Sequence, residues 1–399
     1  MAKTNKFKPA WFDEPTPAGT WRSLFKWGDP AGFKHPNSGL VRLIMERFNL
    51  TLEDLSSPRN LSLEKVELDL PVTLEPEHIQ VFERICGAEN VLRDAYARIH
   101  CSYGYGMIDA LRLRNKIVEN VVDLVLTPRS AGEIQEIIQY CDAHRIPVYI
   151  HGAGSTVTRG KEAVRGGISL DMSRHMHRVV EFNETDQTIT VEAGMTGPQL
   201  EDLLNHAPEK LGAKRRYTCG HFPQSFEYSS VGGWVVTRGA GQNSTYYGKI
   251  EDIVISQEYA TPRGPFKTCA QPRSATGPDF DQLMMGSEGA FGVLTSCTLR
   301  VFRYQPETRR RYSYMFKTWE DGMAACREIM QAEFGFPSVF RLSDPEETDV
   351  AMKLYHIEGT PADTVLKTLG YQPMQKCLLL GLTDGERNFS RNVNRQIRR

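Results

Sequence analysis

The chain has 399 residues, 40% hydrophobic and 24% charged, with a formal net charge of −1. That is material for two or three soluble domains, and the near-neutral balance supplies no concentrated positive field of the kind a nucleic-acid partner needs. The eight cysteines are scattered without a C-x-x-C pair, which signals neither a zinc site nor an iron–sulfur cluster, and no run approaches the roughly 18 apolar residues of a membrane span.

The N-terminus carries charge and proline without an apolar segment, unlike a secretory signal, so a cytoplasmic location is expected. Residues 1 to about 75 read as irregular, with Trp11, Trp21, Phe25, Trp27 and Phe33 set among Pro and Gly; aromatics this dense resist disorder, so the segment is expected to lie as an arm across a folded body. Helical spacing begins near Glu75 with Ile79, Phe82 and Ile85, breaks at Gly87, and resumes with Val91, Leu92, Ala95 and Ile99, the pattern of a packed helical pair. Tyr103, Gly104, Tyr105, Gly106 and the apolar-basic stretch to Lys116 suggest no function.

From Val121 short strands and helices alternate. Val121 to Leu126 is a strand ended by Thr127-Pro128, and Ser130 caps a helix with Ile134, Ile137, Ile138 and Cys141 on its apolar face. Pro147 to Ile150 is the next strand and runs into His151-Gly152-Ala153-Gly154-Ser155-Thr156, where small residues remove the side chains that would hold a ligand away. Glycine permits positive φ, and successive free N–H groups in such a turn form a concave donor nest suited to a pyrophosphate. The turn is neither a P-loop nor a G-x-G-x-x-G fingerprint, and alone it fits an ordinary loop as well. Ile168 to Asp171 reads as a third strand, Val179 to Phe182 with Thr188 to Val191 as a hairpin, and Thr196-Gly197-Pro198 opens a helix through Leu200, Leu203 and Leu204.

Seven motifs then follow one another: GAGST at 152–156, VEAGMTG at 191–197, GHFPQSFEYSSVGGWVVTRGAG at 220–241, YGKIEDIV at 247–254, TPRG at 261–264, RSATGPD at 273–279 and MGSEGAFGVLT at 285–295. In this order they resemble the flavin-binding domain of the vanillyl-alcohol oxidase and p-cresol methylhydroxylase superfamily, and within it the alkyldihydroxyacetonephosphate synthase family, over residues 121 to 343. The resemblance implies an α+β fold: a two-subdomain FAD-binding domain at 116–303, preceded by an N-terminal arm and helical segment at 1–115 and followed by the start of an α/β cap or substrate domain at 304–399.

It also implies FAD as the cofactor, with its pyrophosphate received along Ile150, His151, Gly152, Ala153, Gly154, Ser155 and Thr156. Ser155 stands where many relatives carry a histidine joined to the flavin ring; serine cannot form that bond, so FAD is expected to be held non-covalently, and His151 is left a packing or supporting role. Gln224, Ser225, Ser229, Ser230, Gly232, Gly233, Thr237, Arg238, Gly239 and Ala240 form the next group of cofactor contacts. The hydroxyls of Ser229 and Ser230 suit phosphate or ribose oxygens; Arg238 suits a phosphate or a carboxylate, and family position favours the phosphate. Gly286, Ser287, Glu288, Gly289 and Gly292 complete the set, with Glu288 placed to accept from a ribose hydroxyl or from Arg238. For the substrate the resemblance points to His221 and to Arg341 in SVFRLSD, although a lone arginine at a strand end is more often a surface salt bridge. Phe222 and Gln224 replace acidic residues expected there, which leaves substrate identity open.

Beyond Tyr304, Tyr312 to Phe316, Ser338 to Leu342 and Cys377 to Thr383 read as strands and Trp319 to Glu333 as a helix. Glu386 opens a last helix with Phe389, Val393 and Ile397 at i, i+4 and i+8. Such a stripe must be buried, yet the chain stops at Arg399 before a further strand, so either another chain completes the cap or, the favoured reading, the sequence is a fragment with a poorly ordered cap; the tyrosine acid/base of the relatives falls beyond Arg399, and no catalytic residue is assigned. The activity implied is a transferase of ether-lipid synthesis, exchanging the acyl group of acyl-dihydroxyacetone phosphate for a long-chain alcohol, with flavin as an electron sink and no net redox change. The rival readings are an FAD-linked oxidoreductase of a 2-hydroxy acid and a flavin-binding fragment without turnover. A small-molecule or lipid substrate is expected and no nucleic acid, with room for a homodimer and for peripheral membrane contact.

Overall fold

The structure, a computed structural model, describes residues 16–27, 37–56, 60–271 and 273–399. Trp11 and Phe33 of the expected arm lie outside them. In the first sheet Val91–Leu92, Leu124–Leu126, Ile168–Asp171 and Val148–His151 lie side by side in that order. The last three run parallel, with His151 opposite Asp171. Helix Ala131–His144 links two of them: the Ser130 side chain accepts from the Glu133 N–H at 3.2 Å, and Ile134, Ile137, Ile138 and Cys141 are buried, as their spacing predicts. Val91 and Leu92 do not continue a helix. Gly87, at φ +88°, closes helix Pro76–Cys86, and the two residues pair antiparallel with Leu126 and Val125 before helix Ala95–Ser102 begins.

The second sheet is antiparallel throughout, in the order Val179–Asn183, Thr188–Glu192, Val293–Arg300, Val254–Thr261 and Gly264–Lys267. One apolar cluster joins the two sheets, with Ile134, Leu170, Val191, Leu200, Val231, Trp234, Leu294 and Leu299 all buried. Each such side chain contributes roughly 1.5–3 kcal/mol by leaving water, so the sheets are held together and the turns at their ends are carried on rigid supports.

The third sheet places Cys377–Thr383 between Arg310–Phe316 and Val339–Ser343, antiparallel to both. The expectation of an uncovered stripe is corrected here. Val393 is fully buried and Ile397 8% exposed, in one cluster with Tyr312 and Leu379, against which Phe389, Phe340 and Leu342 also pack. The stripe is covered because helices Trp319–Gln331 and Arg387–Ile397 both pack on the same sheet and share that cluster.

The N-terminal segment is also less irregular than its composition suggests. Thr20 and Asn37 cap helices Trp21–Phe25 and Ser38–Phe48. Trp21 and Leu24 are buried against Ile99, Tyr103 and Leu113, so this part does lie across the body. Helix Ser38–Phe48 packs on Pro345–Leu354, and the Asn37 amide donates to the Leu354 carbonyl. Helix Trp21–Phe25 thus packs beside the first sheet and helix Ser38–Phe48 against the third-sheet unit. Among the described residues no helix is long and apolar enough to cross a membrane.

Candidate cofactor site

Strand Val148–His151 ends at the small-residue turn, where Gly154 takes φ +78°. A side chain on Gly152 would overlap the Ser230 hydroxyl, which places the turn directly against the start of helix Val231–Val236. Ser230 caps that helix, accepting from the Gly233 N–H at 3.1 Å, and its own O–H remains free to donate. Ser229 accepts from the Trp234 indole N–H at 2.7 Å. Gly232 is required for packing: a Cβ there would stand 2.7 Å from Ala193, whose carbonyl takes the Gly232 N–H at 2.8 Å. In this way the segment 191–197 is drawn under the 229–233 segment, and motifs distant in sequence meet.

The third glycine segment reaches the same place. A Cβ on Gly289 would lie 2.6 Å from the Ile150 side chain, at the base of the turn. Gly286, Gly289 and Gly292 have φ of +81°, +92° and +148°, and Glu288 itself is left-handed at +49°, with its N–H bonded to the Val236 carbonyl at 3.1 Å. Ser287 is half-buried, and the Glu288 carboxylate is exposed near Gly160. Arg238 donates to the carbonyls of Met285 and Gln282, and among the described residues no ion pair joins it to Glu288. Its function in the fold is to fasten this glycine segment beside the helix. Thr237, Ala240 and Gln224 are exposed along the rim, while Gly233, Gly239, Ser225, Ala153, Ser155 and Thr156 are half-buried.

Behind the turn stands a charged group that sequence reading passed over. The Lys161 ammonium is 2.9 Å from His151 Nδ1 and 3.0 Å from the His100 carbonyl oxygen, to which it donates. A Cβ on Gly154 would come within 3.3 Å of it. Burial pushes Lys161 down to about 8 and His100 down to about 4; His151, buried and next to Lys161, is held well below the ordinary histidine range. At neutral pH the lysine is therefore the one cation of this trio, and it faces the underside of the nest.

The stretch Tyr103 to Gly106, for which the sequence suggested no function, forms a wall of the same site. The Tyr105 N–H bonds the Thr156 carbonyl at 2.8 Å, and a side chain on Gly104 would overlap that carbonyl. Tyr105 and Trp27 both pack against Tyr228, at 5.2 and 5.0 Å between ring centroids.

His221 is 1% exposed, its ring 4.9 Å from Trp234, and among the described residues neither ring nitrogen has a protein partner. Burial lowers it to about 4, so it is neutral. Its approach is set by Glu201, another residue with no motif signal: the buried carboxylate accepts from the Cys219 N–H at 2.7 Å and the Thr218 hydroxyl at 2.9 Å. Arg341 lies elsewhere. It is exposed and pairs with Glu347, although its strand packs on the short helix Ser244–Tyr247 that follows the 220–241 motif.

Three glycine-rich segments meeting at a positive-φ turn, a buried cation behind it and an unpartnered buried imidazole nearby fit a bound dinucleotide, whose phosphates need backbone donors and charge compensation. Comparison with known proteins agrees. Residues 122–270 match the protein-family description of an FAD binding domain, and FAD is the cofactor. The chain is 30% identical over 294 residues to an alkyldihydroxyacetonephosphate synthase of Dictyostelium discoideum, covering 73% of this chain and 46% of the relative. It is 34% identical over 185 residues to a mitochondrial D-lactate dehydrogenase [cytochrome] of Arabidopsis thaliana, covering 46% of this chain and 30% of that protein. A solved alkyldihydroxyacetonephosphate synthase structure superposes with a TM-score of 0.81 at 25% identity, over 94% of this chain and 71% of the other. The chain thus spans less than half the length of these two curated relatives.

Proposed function

We propose, from the premise that the chain is an FAD flavoprotein of the vanillyl-alcohol oxidase type with its FAD-binding domain at 122–270, that it works as an alkyldihydroxyacetonephosphate synthase-like transferase. In this reading it exchanges the acyl group of an acyl-dihydroxyacetone phosphate for a long-chain alcohol. Residues 116–303 hold the cofactor, 304–399 cover the substrate, and 1–115 brace the two.

FAD, held without a covalent bond because Ser155 replaces the linking histidine, supplies an electron sink next to the substrate carbon. The turn 152–156 and the Ser230 hydroxyl take its phosphates, and Lys161 offsets their charge from beneath. Ser229, Gly233 and the rim at 237–240 flank the dinucleotide, and the segment 286–289 presses its backbone against it. His221, neutral and without a protein partner, offers a hydrogen bond to the substrate or the flavin edge. Arg341 reaches a substrate phosphate only by exchanging its Glu347 partner.

The observation that carries the reading is the match to the synthase frame over 94% of the chain with the glycine cradle intact. The oxidoreductase reading is favoured by the Arabidopsis D-lactate dehydrogenase similarity. Mixing the FAD-loaded protein with an acyl-dihydroxyacetone phosphate and a labelled long-chain alcohol tests the first: labelled ether product is expected. Anaerobic bleaching of the flavin by a D-2-hydroxy acid, with no ether product, would establish the second instead.

A further inference from the structure

Away from the cofactor site, strand Arg310–Phe316 and helix Arg387–Ile397 border a cleft of about 800 Å³. Six arginines line it: Arg309, Arg310, Arg311, Arg391, Arg395 and Arg398. Arg309 pairs with the Asp384 carboxylate at 2.6 Å. Among the described residues the other five have no acidic partner within ion-pair distance. Arg391, Arg395 and Arg398 follow one another at i, i+4 and i+7, so they project from one helical face, an arrangement that costs stability through like-charge repulsion unless an anion relieves it. Asn394 lines the same cleft, is 8% exposed, and its side-chain Nδ2 is buried with no hydrogen-bond partner among the described residues. A buried amide N–H₂ left without an acceptor is destabilising, and an anionic oxygen would satisfy it.

We infer that this cleft is a binding site for a multiply charged phosphate anion. The guanidinium groups supply planar forks for phosphate oxygens, and Asn394 supplies a fixed neutral donor at the floor. The chemistry is shared by a free pyrophosphate-type anion and by the phosphomonoester headgroup of an anionic lipid. The site stands apart from the flavin reading, since none of its residues belongs to the glycine cradle.

The test uses the FAD-loaded 399-residue protein, so that the cofactor nest is filled. Inorganic pyrophosphate is titrated calorimetrically at low and high salt, and flotation is measured with phosphatidylcholine vesicles with and without phosphatidic acid. The triple variant R391Q/R395Q/R398Q and the single variant Asn394→Asp are compared with wild type and with a charge-matched control, R215Q/R263Q/R327Q, in exposed positions elsewhere. Saturable pyrophosphate binding that weakens at least tenfold in both site variants, but not in the control, identifies a free anion as ligand. Flotation dependent on phosphatidic acid and lost in the same two variants identifies the lipid headgroup. Absence of both kinds of binding in wild type, or equal loss in the control triple, overturns the site. An unchanged flavin spectrum and a melting temperature no lower than that of wild type show that each variant is folded.

Discussion

The Lys161 ammonium stands 2.9 Å from His151 Nδ1, beneath the glycine turn, and among the described residues no carboxylate is bonded to it. Its folded-state value of about 8 lies below the 10.5 of an ordinary lysine, because burial disfavours the charged form. An anion bound in the nest restores that charge. Below pH 8 the lysine is already protonated and FAD affinity is flat; above it, binding takes up a proton, so affinity falls by up to about tenfold per pH unit. The unliganded protein behaves oppositely: between about 8 and 10.5 the unfolded chain holds more protons than the folded one, and stability rises with pH. Fluorescence titrations of FAD across this window check the slope, and Lys161→Met removes it.

Gly154→Val is expected to lose most of its FAD. Gly154 sits at φ +78°, where a β-branched residue is strained by roughly 1–2 kcal/mol, and its new Cβ would meet His151 Cε1 at 2.9 Å. The ratio of flavin to protein absorbance in the purified variant measures the loss, with Gly152→Ala as a second case in which the side chain meets Ser230.

The glycine segments that meet at the turn could be read from the sequence because each is local, and its residue types state what the backbone must do there. Lys161, Glu201 and the Tyr103–Gly106 wall could not, since their roles exist only after separate segments have met, as Lys161 does with His100, 61 residues away. The N-terminal helices were hidden for a different reason: Thr20 and Asn37 are ordinary caps in a stretch whose Pro and Gly content suggests loops. The stripe at Phe389, Val393 and Ile397 is legible as apolar, but its cover is not, because strand count says nothing of how many helices share one sheet face.

His221→Phe should keep its flavin and its stability to within about 1 kcal/mol, since the imidazole makes no hydrogen bond within the protein and removing it strands no partner. Substrate-dependent turnover or flavin bleaching should fall. Loss of flavin instead would assign His221 to the cofactor.

Glu201→Gln replaces an acceptor by a group that turns N–H₂ toward the Cys219 N–H or the Thr218 hydroxyl. Roughly 1–3 kcal/mol of stability should be lost, read in urea unfolding, because buried donors are left unmatched. Burial raises the Glu201 carboxyl above its usual value, so the folded protein holds its proton to higher pH than the unfolded chain does; the cost of keeping it ionised is greatest near neutrality and shrinks as pH falls.

In the cap, Val393→Asp puts a carboxylate into a fully buried apolar cluster at a cost on the order of 3–5 kcal/mol. Limited proteolysis should leave residues 310–397 intact in the wild type and remove them in the variant. Cleavage of the wild type at the same rate would show that the stripe is not packed as described.

The central claim is that this chain holds FAD in the glycine cradle without a covalent bond, because Ser155 stands at the linking position. Acid precipitation of the purified yellow protein, followed by absorbance and chromatography of both fractions, addresses it most directly. Stoichiometric FAD in the supernatant and a colourless pellet are the predicted result. Flavin remaining in the pellet, or a protein that never carries flavin, would contradict it.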